Sequence, residues 1–61
     1  MRLSCIINLN NAAYQHEDGE LDRGALSESI YAMVGRIQRG EDSGVLFDVN
    51  GNTVGTWKIW P

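Results

Sequence analysis

An α+β domain with the order strand, helix, strand, strand is what this sequence predicts, on three observations. Residues 21–39 repeat apolar side chains at helical spacing, residues 2–9 alternate with period two, and Asn50-Gly51 separates two β-rich runs. Placing the third strand between the other two makes both neighbouring pairs antiparallel. The expected sheet is therefore three-stranded and mainly antiparallel, in order 1-3-2, with the helix packed on one face. Order 1-2-3, with one parallel pair, is the alternative.

The first strand covers about residues 2–9. Leu3, Cys5, Ile7 and Leu9 fall on one side; Arg2, Ser4 and Asn8 fall on the other. Cys5 alternates with apolar residues, so a buried, inert thiol is expected. Ile6 puts an apolar group on the polar side, which reads as a single surface apolar residue or, alternatively, as a face that a partner or another copy covers. Residues 10–20 then form a connection rich in Asn, Asp and Gly, longer than most strand-to-helix links. Ala12, Ala13 and Tyr14 are expected to tuck against the domain edge, and His16 to be a solvated loop residue.

The helix covers about residues 21–39. Leu26, Ile30, Met33 and Ile37 form its stripe, with Val34 at the edge. Asp18 and Asp22 are alternative N-caps; with Asp18 as cap, Glu20 and Asp22 enter the first turn and suit the macrodipole. Arg36 and Arg39 fit the last turns, and Gly40 fits the C-terminal cap. The hairpin strands are about 45–49 and 53–60. A two-residue turn at Asn50-Gly51 pairs Phe47 with Val54, whereas a turn with Gly51 as a left-handed bulge pairs Asp48 with Asn52. The second register is preferred. It puts Val45, Phe47, Trp57 and Ile59 under the helix and Leu46, Val54, Thr56, Lys58 and Trp60 on the far face.

Sixty-one residues make one domain, residues 1–61. A chain this short buries only about 60 % of its unfolded surface and commonly needs a disulfide, a metal or oligomerisation. One Cys and one His supply neither a disulfide nor a zinc site, which leaves self-association, a dimer being the simplest case. The net charge of -3 and five scattered basic residues argue against direct nucleic-acid binding. No apolar run is long enough to span a membrane and no export signal is evident, so a cytoplasmic protein is expected.

No chemical motif survives inspection. The acidic run from His16 to Asp22 reads as a solvated loop. Asp48-Val49-Asn50-Gly51-Asn52 echoes a calcium loop, but Thr53 stands where that loop needs glycine and Ile59 where it needs glutamate. Ser27, Ser29 and Ser43 have no evident base. The expectation is a protein without catalytic, metal or cofactor-binding residues.

Asn10-Asn11-Ala12-Ala13-Tyr14, the amphipathic helix, and Asp48-Val49-Asn50-Gly51-Asn52-Thr53-Val54-Gly55 together resemble a group of short proteins encoded by bacteriophages and prophages. Members of that group carry an Asp-Asn-Ala-Ala-Phe type segment and an Asn-Gly-Asn-x-Val-Gly hairpin. Here Asn10 replaces the usual acid and Tyr14 the phenylalanine. The resemblance implies a small accessory protein that binds a host protein, such as a nucleic-acid-binding antiviral defence complex of the CRISPR–Cas kind. An oligomeric sponge for a nucleotide signal, using Arg36 and Arg39, and a self-assembling virion module are the alternatives. The expected binding surface is the uncovered sheet face with Ile6, Leu46, Val54 and Trp60, flanked by Glu17, Asp18, Glu41 and Asp42.

Overall fold

The computed structural model describes residues 1–61 and has the predicted architecture. Strand β1 (Arg2–Ile7) is followed by a 3-10 turn (Ala12–Tyr14), helix α1 (Arg23–Gln38), β2 (Ser43–Phe47) and β3 (Thr53–Trp60). The sheet order is β1-β3-β2 and both pairs are antiparallel.

The helix begins later than residue 21. Asp22 is the N-cap, its Oδ1 accepting from the Ala25 N–H at 3.1 Å, and no acidic residue occupies the first turn. Asp18 caps a different structure. Its Oδ1 accepts from the Glu20 N–H at 3.0 Å inside a small turn that brings Gln15 opposite Leu21. The far end of the helix closes as expected. Gly40, at φ 92°, donates to the Ile37 carbonyl, and Glu41 donates to that of Arg36, the paired bonds of a Schellman cap.

The hairpin obeys both candidate registers, each in its own half. Near the turn Asp48 donates to the Asn52 carbonyl and Phe47 lies opposite Thr53, with Gly51 at φ 81°. A bulge between Leu46 and Phe47 then shifts the pairing, so that Leu46 faces Gly55 and Val45 faces Thr56. This corrects the expected sides of β2. Leu46 turns inward and is 2 % exposed, while Val45 turns out with Thr56. Strand β2 also starts and ends two residues early, because Asp48 and Val49 belong to the turn.

Met33, Leu46 and Trp57 form the core, with Ile7, Ile37, Val54 and Ile59 packed against it. Val54 is therefore also not a far-face residue. Helix α1 packs on β2 and leaves the Leu3 and Cys5 end of β1 uncovered on the helix side. Leu3 is 52 % exposed there, and Cys5 is exposed rather than buried. Ile30 and Val34, expected on or beside the buried stripe, stay partly open for the same reason.

Candidate functional site

Two assemblies of side chains stand out, one internal and one on the surface. The internal one starts at Asp48. Its Oδ1 accepts from the backbone N–H groups of Asn50 (2.8 Å) and Asn52 (2.9 Å). Its Oδ2 accepts from the side-chain amides of Asn11 (2.9 Å) and Asn52 (3.2 Å). The Asn52 backbone N–H contributes most to holding this carboxyl below its usual pKa of 3.8, and the amide donors of Asn11, Asn52 and Asn50 act in the same direction.

Asn11 also accepts from the Ala13 N–H through Oδ1 (2.9 Å), which starts the 3-10 turn. That turn drives Tyr14 fully into the interior. There its hydroxyl lies 2.7 Å from Ser29 Oγ, and Ser29 Oγ lies 2.9 Å from the Phe47 carbonyl. Ser29 has one proton, so it donates to Phe47 and Tyr14 donates to Ser29. Residues 11–14 and the hairpin turn are thus halves of one lock. Its donors are engaged within the fold.

The surface assembly is the sheet face opposite the helix. The pairing places Arg2, Ser4 and Ile6 of β1, Thr56, Lys58 and Trp60 of β3, and Ser43 and Val45 of β2 on it. Ile6 is 74 % exposed and Trp60 is 38 % exposed. Trp60 Nε1 donates to Ser4 Oγ at 3.2 Å. Lys58 Nζ lies 4.0 Å and Arg2 Cζ 5.3 Å from the Trp60 ring centroid, so two cations hold the indole by its π face. The result is a shallow depression walled by Ser4, Ile6, Ser43, Thr56, Lys58 and Trp60.

The expected site residues are only partly brought together. Ile6 and Trp60 share this face. Leu46 and Val54 belong to the core and its margin, because the bulge reverses the side they occupy. Glu41 follows the helix and pairs with Arg39 at 3.5 Å. Asp42 sits opposite Ile59, whose N–H it accepts, so the register assigns it to the helix side. Glu17 and Asp18 lie in the turn before the helix N-terminus, at the end of the molecule away from Trp60. The charges on the open face are Arg2 and Lys58, so its sign is opposite to that of the whole chain. Sequence reasoning had Lys58 on this face but missed its contact with Trp60; the spacing of two residues along β3 was the available signal.

A second groove runs between α1 and β2, lined by Ala25, Ala32, Phe47 and Val49 among others. No three His, Cys, Asp or Glu side chains gather into a group that could hold a metal ion. No helix is long and apolar enough to cross a membrane. No known protein family, curated protein or solved structure matches the chain.

Proposed function

We propose that this chain is a small non-catalytic accessory protein of phage or prophage origin that binds a host protein through the open face of its sheet. The observation that carries the reading is the exposure of Ile6 and Trp60 on a face that the single helix cannot cover. Aromatic side chains framed by cations are common anchors of protein interfaces. Arg2 and Lys58 favour a partner that presents carboxylates there. The resemblance to short phage proteins directs the choice of host partner to antiviral defence complexes in the bacterial cytoplasm, with inhibition as the outcome. Such complexes include those of the CRISPR–Cas kind.

The nucleotide-sponge alternative loses support from its own residues. Arg36 donates to the Val45 carbonyl at 3.3 Å, and Arg39 pairs with Glu41, so the basic pair assigned to that reading makes contacts within the fold, while Arg2 and Lys58 beside Trp60 form a second basic pair.

Trp60→Ala tests the reading. The variant should unfold at nearly the wild-type temperature and lose at least about tenfold in affinity for the host complex, with phage protection lost in parallel. A Trp60→Ala, Ile6→Asp double variant that still binds and protects overturns the assignment of this face. A nucleotide released from the heat-denatured protein would instead support the sponge.

A further inference from the structure

The two edges of the sheet are treated differently. On β2, Ile59 donates to the Asp42 carbonyl, so antiparallel alternation sends the main-chain groups of Ser43, Val45 and Phe47 outward. Helix side chains meet two of their carbonyls. Arg36 Nη1 donates to the Val45 carbonyl and Ser29 Oγ to that of Phe47. This edge is partly capped.

On β1, Asn8 donates to the Val54 carbonyl at 2.8 Å. The same alternation therefore directs the N–H and C=O groups of Leu3, Cys5 and Ile7 away from β3. No side chain bonds to any of them. The strand has no proline, no lysine, no bulge and no acidic residue, the devices that normally blunt an edge. Its helix-side residues Leu3 and Cys5 are exposed as well.

The dimensions agree with an unfilled interface. The chain exposes 4487 Å², about 500 Å² more than a free-standing monomer of its mass usually does. Its radius of gyration is 12.2 Å, against about 10.5 Å for a compact domain of this length. An excess of that size is close to what one protomer buries in a small dimer interface.

We infer that the β1 edge pairs with the β1 edge of a second copy of this chain, antiparallel and centred on Cys5, giving one six-stranded sheet. A second copy fits because the edge is self-complementary. Two-fold pairing keeps inner side chains with inner ones and places Leu3 opposite the partner's Ile7 and Cys5 opposite the partner's Cys5. It satisfies the outward groups of all three residues in each protomer. It brings no carboxylates together, since the only charge on the strand is Arg2, at its outer end. The helices of both protomers then lie on one side of the sheet. The open faces join on the other, which duplicates the Ile6 and Trp60 surface. The inference stands on the edge itself and does not rest on what that surface binds.

Amide exchange and mass, measured on the intact protein by NMR and light scattering, test it. Near millimolar concentration the mass should be twice 6.8 kDa, and the Leu3, Cys5 and Ile7 amides should exchange at least about a hundredfold more slowly than loop amides. A short bifunctional thiol reagent should link the two Cys5 side chains. Cys5→Lys should lower the mass to the monomer with the circular dichroism spectrum retained, whereas Trp60→Ala should leave the dimer in place. A monomer at every concentration overturns the inference. So does a dimer in which those three amides exchange freely, or one that Trp60→Ala dissolves.

Discussion

Asp48 is the residue on which the most hydrogen bonds converge, and its protonation state therefore bears on stability. Four N–H donors favour the charged carboxylate, so its pKa in the folded chain lies below the unfolded value. The stabilisation is complete above about pH 4, where the unfolded chain has also ionised, and is lost as pH falls through the folded pKa. Asp48→Asn should lower the thermal midpoint at neutral pH, because its amide nitrogen would face the donors of Asn11 and Asn52. Its stability should also vary less with pH than the wild type below about pH 4. Thermal melts of both proteins across that range check the sign. Sequence reasoning saw Asp48 as turn chemistry and Asn11 as loop chemistry, and each was right locally. Nothing in either stretch said that they meet across 37 residues. By sequence Ser29 likewise reads only as a nucleophile without a base. Its position on the helix, one turn before Met33, was the overlooked sign that it faces inward.

The elements themselves were legible, because each carries a periodic signal that packing did not override. β3 matches its expected limits, and the Gly40 cap and the 1-3-2 order follow from the same rules. The sides of β2 were not legible. Turn chemistry offered two whole registers, and the bulge that reconciles them adds one residue, Val54, on β3, marked in the sequence only by Gly55 inside the strand. Leu46 and Val45 separate the two accounts. Leu46→Ala empties a position in the core and should cost about 2–5 kcal/mol, enough to unfold much of a chain this small. Val45→Ala, on the outer side, should cost about 0.5 kcal/mol or less. Chemical denaturation of the two variants reads the difference directly, and equal losses would contradict the shifted register. The exposure of Cys5 has a related cause. Alternation placed it on the inner side of β1, but the helix covers only part of that side.

For the molecule as a whole, only six of the sixty-one residues are buried, so the isolated protomer is folded with only a marginal stability. If β1 pairs with a second copy, folding is linked to association, and the thermal midpoint should rise with protein concentration. Melts at protein concentrations spanning about two orders of magnitude check this, and a constant midpoint would mean that the protomer stands alone. Composition had already suggested self-association, from the short length and the single cysteine. What it could not show is which surface would serve, since the contrast between a partly capped β2 edge and an uncapped β1 edge exists only once the helix side chains are in place. The strand order carries one more consequence, for the newborn chain. Its central strand, β3, is the last of the elements to be synthesised. While the ribosome is still adding residues 53–60, β1 and β2 have nothing between them and α1 has no sheet to lie on. Trp57 and Ile59, which complete the core, arrive at that same late moment. Until then the emerging segment can hold no more than a fraying helix.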